Sequence, residues 1–150
     1  MNLLRRKDIQ NILNAARVAA QFQKAYHSDA TLMTAQDVLE KITIIPSQML
    51  GYNTGSLETG KIADICVVNL SYPNLTPTRI DNVVENIIWA ASGNEITYVI
   101  SNGELLVDNY KFVHVNLVKL LAQIQELSEM FYQYKQQFTA QKATGIREKK

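Results

Sequence analysis

Apolar residues recur along this chain with two different periods, and the switch between them divides it. From residue 4 to 27, Ile9, Ile12, Leu13, Ala16, Ala19 and Ala20 return every three or four positions, the pattern of one helix face. The second half of that stripe is alanine, so this helix is expected to press closely on another helix or a sheet. Ser28-Asp29 breaks it. A second helix is predicted to start on Thr34 as N-cap, with Gln36 and Asp37 in its first turn and Val38, Leu39, Ile42 and Ile45 as its buried face. Pro46 ends or restarts it, because proline lacks a backbone donor and restricts the residue before it. A short helical turn over residues 47–50 then stops at Gly51, placed as a C′ glycine.

Beyond this point the period shortens. Gly55-Ser56-Leu57-Glu58-Thr59-Gly60-Lys61 turns twice on glycine and runs into residues 62–68, a short apolar, β-branched run expected to be a strand buried on both faces. Ser71-Tyr72-Pro73-Asn74-Leu75-Thr76-Pro77-Thr78 is a turn-rich connection. Residues 81–91 return to helical spacing through Val83, Val84, Ile87, Ile88 and Trp89, closed by Ser92-Gly93-Asn94. Two apolar runs, residues 96–101 and 104–108, flank Asn102-Gly103. That dipeptide predicts a hairpin with a type I′ turn, whose two central residues need positive φ. A turn at Asp108-Asn109-Tyr110 is expected to end the sheet. The last helix, residues 115–138, carries Leu117, Leu121, Ile124, Leu127, Phe131, Tyr134 and Phe138 as one apolar stripe. Residues 139–150 are polar and basic and are expected to fray.

At 150 residues the chain is long enough for one domain with a core. Its 47% hydrophobic and 19% charged content are those of a soluble globular protein. A net charge of +1 points to neither nucleic acid nor a membrane surface as partner. The single cysteine, Cys66, excludes an internal disulfide and fits a reducing compartment. No stretch approaches the roughly 18–20 apolar residues of a membrane span, and no export signal is read after Met1-Asn2-Leu3-Leu4-Arg5-Arg6-Lys7. A cytoplasmic location is the expectation.

Candidate chemistry is sparse. The two histidines, His27 and His114, are isolated in sequence, with no His-x-His, His-Glu-x-x-His or cysteine pair to build a metal site. Cys66 lies in the predicted strand, where a thiol is ordinarily inert packing. Ser56 and Ser101 have no histidine near them in sequence. The glycines at 55 and 60 precede a strand and lack phosphate-loop spacing, so turn geometry explains them better than anion binding. Lys142, Arg147, Lys149 and Lys150 have no interleaved aromatics and read as a solubilising tail. The stripe on the last helix packs either on the chain's own sheet or barrel, or on a partner. No catalytic, cofactor-binding or metal-ligating residue is assigned from this chain.

Two stretches nevertheless carry a pattern. Thr43-Ile44-Ile45-Pro46-Ser47-Gln48-Met49-Leu50-Gly51-Tyr52, followed by Gly55-Ser56-Leu57-Glu58-Thr59-Gly60-Lys61-Ile62-Ala63-Asp64-Ile65, resembles the C-terminal signature of the amidohydrolase superfamily. The only departure inside it is Ser47, where alanine is common. Val99-Ile100-Ser101-Asn102-Gly103-Glu104-Leu105-Leu106-Val107 is similar to that family's closing hairpin, and the opening helix is similar to one in the S-adenosylhomocysteine, guanine and cytosine deaminase and chlorohydrolase branch. The resemblance covers about residues 1 to 135.

The resemblance implies an α/β fold: the last helices of a (β/α)8 metal-dependent hydrolase barrel, the C-terminal strands of a small composite β-sandwich, and a C-terminal helix. Residues 1–51 would be barrel helices, 52–112 part of the sandwich with one inserted helix, 113–138 the C-terminal helix and 139–150 a basic flexible tail. It further implies a parent that uses a metal-activated water on a C–N or C–Cl bond of a purine-like or triazine-like ring. Zinc or another divalent metal would be held by residues upstream of Met1, leaving this chain inactive by itself. The expected partner is the N-terminal barrel portion, or a second copy, with light scattering of the purified chain as the check. The alternative is a non-enzymatic structural or dimerisation module.

Overall fold

The computed structural model describes residues 11–145, with side chains through Thr139. Residues 4–10 of the first predicted helix, and Arg147, Lys149 and Lys150 of the basic tail, lie outside the described residues. The chain divides into two compact units at residue 111.

The first unit begins with α1, Ile12–His27. Asn11 caps it by accepting from the Asn14 backbone N–H, and Ser28, in the left-handed region at φ 52°, turns the chain away. After a short turn comes α2, Ala35–Ile42. Thr34 is its N-cap, as the sequence predicts, and forms a reciprocal capping box with Asp37. Pro46 does not terminate a helix. It sits in the first turn of α3, Ile44–Leu50, where an N–H would be unsatisfied in any case. The restart occurs earlier, at Thr43, and Gly51 closes α3 at φ 72°.

The predicted strand at residues 62–68 shortens to β1, Ile65–Val68, because residues 53–64 are held in turns by hydrogen bonds of their own. A short 3₁₀ turn, Pro73–Leu75, precedes α4, Val83–Ala90. The hairpin stands where Asn102-Gly103 places it. Strands β2, Ile96–Ser101, and β3, Glu104–Asp108, pair antiparallel, with φ of 50° at Asn102 and 80° at Gly103. The Asp108-Asn109-Tyr110 turn does not end the sheet. Asn109 and Tyr110 both take positive φ and feed a two-residue strand β4, Lys111–Phe112, giving the sheet order β1-β2-β3-β4.

Burial also departs from expectation. Among the described residues β1 is an edge strand paired antiparallel with β2, and Val67 is 44% exposed and Cys66 is exposed too, contrary to a strand buried on both faces. Partial desolvation still pushes the Cys66 thiol pKa up, so it stays protonated at neutral pH. The core lies instead between helices. Ala20 of α1, Ala35 and Val38 of α2 and Ile88 of α4 are buried together, with Leu13, Ala16, Leu39, Ile42, Val84 and Trp89 around them. The alanine stripe of α1 is what allows this close approach, and the Lys24 ammonium lies 4.8 Å from the Trp89 ring centre. Ile45, expected on the buried face, is 36% exposed because the restart at Thr43 places it on α3.

The second unit contains α5, Leu117–Gly145, a continuous helix of 29 residues. It runs past Phe138, where the sequence reading placed fraying. Thr139 to Gly145 holds alanine, glutamine and lysine, good helix formers, and no breaker before its glycine.

Candidate functional site

Three clusters in the first unit concentrate polar side chains. The first surrounds Glu95, which neither its position nor its spacing singled out. It stands directly before β2, after Ser92-Gly93-Asn94, and is 1% exposed. Its Oε1 accepts from Asn74 Nδ2 at 2.6 Å, from Ser92 Oγ at 3.0 Å and from the Ser92 N–H at 3.1 Å. Its Oε2 accepts from the Gly93 N–H at 2.8 Å. Burial alone would raise its pKa, but these donors, led by Asn74, outweigh it and hold the carboxyl down at about 2. A base so saturated with donors, and so weak, has neither a free lone pair nor the affinity to take a substrate proton. Glu95 is a structural anchor.

What it anchors is the end of α4. Asn74 Nδ2 also reaches the Ala90 carbonyl at 2.9 Å. From α1, Arg17 donates to the Ile88 and Ala91 carbonyls at 2.9 and 2.7 Å, and Asn11 donates to that of Ser92 at 2.8 Å. Carbonyls at the end of α4, which have no partners within their own helix, are thereby satisfied, and a cation sits at the negative end of the helix dipole. The usable sequence signal was an acidic residue directly after the Ser92-Gly93-Asn94 turn, whose backbone N–H groups lie beyond the helix and need acceptors.

The second cluster is the glycine loop. Asp64, at the end of that loop, accepts from Thr54 Oγ1 at 2.8 Å, from Ser101 Oγ at 3.1 Å and from the Asn102 N–H at 2.8 Å. The Asn102 backbone bond is the largest cause holding its pKa below the usual carboxylate value, with Thr54 next. With Gly103 N–H donating to the Ala63 carbonyl at 3.0 Å, Asp64 fastens the loop to the tip of the β2–β3 hairpin. In Asp64→Asn, the Gly103 amide is expected to exchange about tenfold faster while α1–α2 protection holds. Unchanged exchange at Gly103 would mean the carboxylate does not fasten the turn.

The third cluster is on the surface. Glu58 pairs with Lys61 at 2.8 Å and accepts from Ser56 Oγ at 2.5 Å, and Lys61 Nζ also donates to Ser56 Oγ. The Lys61 bond is the largest cause lowering the Glu58 pKa. Ser56 and Ser101, the hydroxyls considered as nucleophiles, are thus both bonded to carboxylates. His27 lies edge-on to Tyr26 at 5.0 Å, and His114 is exposed in the connection before α5. Among the described residues no three histidine, cysteine, aspartate or glutamate side chains converge on a point that a metal ion would occupy. The described residues do not fit a catalytic metal.

This mixed helix-and-sheet unit, with its capped helices, glycine loop and closing hairpin, has the architecture of solved amidohydrolases. The chain superimposes on a zinc-bound adenosine deaminase of Xanthomonas campestris with a TM-score of 0.76 and 27% identity, over 81% of this chain and 28% of that one. It also shares its fold with atrazine chlorohydrolase of Arthrobacter aurescens, solved with zinc, at a TM-score of 0.68 and 24% identity, over 77% of this chain and 26% of that one. Residues 4–106 match the model of the amidohydrolase family, and the chain belongs to that family. In sequence it is 34% identical to 5′-deoxyadenosine deaminase of Methanosphaera stadtmanae over 106 residues, 71% of this chain and 24% of that protein. It is 29% identical over 111 residues to 5-methylthioadenosine/S-adenosylhomocysteine deaminase of Pyrococcus furiosus, 74% of this chain and 26% of that protein. The chain spans about a quarter of the length of these relatives. No helix among the described residues is long and apolar enough to cross a membrane.

Proposed function

We propose that this chain is the C-terminal segment of a cytoplasmic, metal-dependent amidohydrolase that removes the amino group of an adenosine-like ring. The observation that carries this reading is the family match over residues 4–106, together with deaminase-named relatives of which the chain spans only about a quarter. Residues 1–51 then belong to the last helices of a (β/α)8 barrel, 52–112 to a composite sandwich with α4 inserted, and 113–138 to a C-terminal helix. The metal and its activated water belong to a barrel portion that this chain lacks, and the chain alone is inactive. The small buried core supports this. Among the described residues the buried apolar side chains are Ala20, Ala35, Val38, Leu75, Ile88 and Ala91, while β1 leaves Val67 to solvent. Further chain laid on that edge would cover it.

The test is ammonia release from 5′-deoxyadenosine and S-adenosylhomocysteine with zinc present. The chain alone is expected to give no turnover. Co-expression with a barrel portion cut from a relative at the matching boundary is expected to restore it and to co-purify the two pieces. Turnover by the chain alone, or failure of the pieces to associate, would overturn the proposal.

A further inference from the structure

The stripe on α5 has a tighter period than a globular helix face needs. With Leu120 rather than Leu121 as its second member, the series Leu117, Leu120, Ile124, Leu127, Phe131 and Tyr134 alternates spacings of three and four, and Phe138 continues it. That 3.5-residue repeat, held across three heptads, places all of them at the a and d positions of a coiled coil. A helix packed once on a globular core follows a 3.6 repeat with a broader, less regular face. Along the stripe, exposure runs from 41% at Leu120 to 68% at Phe131, so the seam presents its apolar surface outward.

The flanks agree. Gln123 and Met130 occupy g, and Leu121, Ser128 and Lys135 occupy e, so the described flanks carry one charge and bring no like-charged pair from g to e across two identical helices. Glu126 and Glu129 fall on the c and f positions of the far side. Six seam side chains per helix, each offering roughly 100 Å², would together bury about 1,200 Å² in a pair of helices, within reach of a specific interface. The match to the family model ends at residue 106, before α5 begins.

We propose that α5 pairs with α5 of a second copy of this chain, as a two-stranded coiled coil through the Leu117–Tyr134 seam. The proposal does not depend on which reaction the parent protein performs. Cysteine scanning in the full chain, in a Cys66→Ser background and a glutathione redox buffer, tests it. Ile124→Cys and Leu127→Cys, at a and d, are expected to yield at least tenfold more disulfide-linked dimer than Gln125→Cys and Glu126→Cys, at b and c. The same helical period is expected when the cross-linked fraction is read at several protein concentrations. Equal yields at all four positions, as non-specific association would give, or no dimer at any of them, as a seam occupied by another segment would give, overturns the proposal.

Discussion

Glu95→Gln is expected to destabilise the first unit by about 3 kcal/mol, although glutamine matches glutamate in size. The carboxylate accepts from Asn74, from the Ser92 hydroxyl and from the Ser92 and Gly93 amides, and it is 1% exposed. An amide keeps one oxygen and turns an NH₂ toward donors. A buried donor facing a donor loses its bond and cannot recover one from water, which is why the penalty exceeds that of a surface change. Denaturant unfolding followed at Trp89, the only tryptophan, reads it directly. A loss below 1 kcal/mol would show that Glu95 is not the anchor of this corner.

The same residue fixes the sign of an acid effect. Its folded pKa of about 2 lies below the ordinary glutamate value of 4.5, so the folded state holds the charged form more strongly than the unfolded chain does. That stabilisation is fully present above the unfolded value and is lost as pH falls from about 4.5 toward 2. Asp29, Asp37, Glu58 and Asp64 also have lowered pKa values, so wild-type acid sensitivity alone would be ambiguous. The difference between wild type and Glu95→Gln removes them. It is expected to shrink across that window and to stay constant above pH 6.

Gly55→Ala is expected to cost about 3 kcal/mol, and Gly60→Ala only about 1–2 kcal/mol, although both glycines have similar positive φ of 93° and 86°. Both pay for a backbone conformation that a Cβ resists. At Gly60 nothing lies within 4 Å of the added carbon. At Gly55 it would sit 2.6 Å from Ser47 Oγ and 2.7 Å from the Thr43 carbonyl, with Ile44 Cα at 3.1 Å. Ser47 is nearly buried and donates to that same carbonyl, so neither neighbour swings away easily. Adding Ser47→Gly should recover part of the loss and no more, because the Thr43 carbonyl belongs to the backbone. Equal costs at the two glycines would refute this account. The contact also explains why a small residue stands at position 47, where the family resemblance expects alanine.

Much of this was legible in the residues. Thr34 capped α2 with Asp37 in its first turn, Asn102-Gly103 made a type I′ hairpin, Gly51 closed α3, and Ala16 and Ala20 of the α1 stripe met other helices, while Ile12 and Ala19 of the same stripe are exposed. These rest on local chemistry, which works over a few residues and so can be read from a few residues. The signature from Thr43 to Ile65 identified the family on the same footing. Element bounds at Thr43, Tyr110 and Phe138 were misplaced locally, and the misreadings of burial and anchoring involved partners distant in sequence. Cys66 looked buried because its strand is apolar, yet burial on both faces needs other elements packed over each face of the sheet, and Cys66 and Val67 are exposed. Glu95 drew no reading from the sequence, because Asn74 lies 21 positions away.

By itself, then, the sequence determined which helices and hairpin form, though not their bounds, which family the chain belongs to, and that residues 117–138 carry an apolar stripe. Only the tertiary structure decided that Arg17 and Asn74 cap α4, that Asp64 ties the glycine loop to the hairpin, and that Gly55 is the glycine with no room for a side chain. The reason is physical. Backbone preference and hydrophobic period are properties of a segment, whereas desolvation, hydrogen-bond saturation and steric room exist only once distant segments have met.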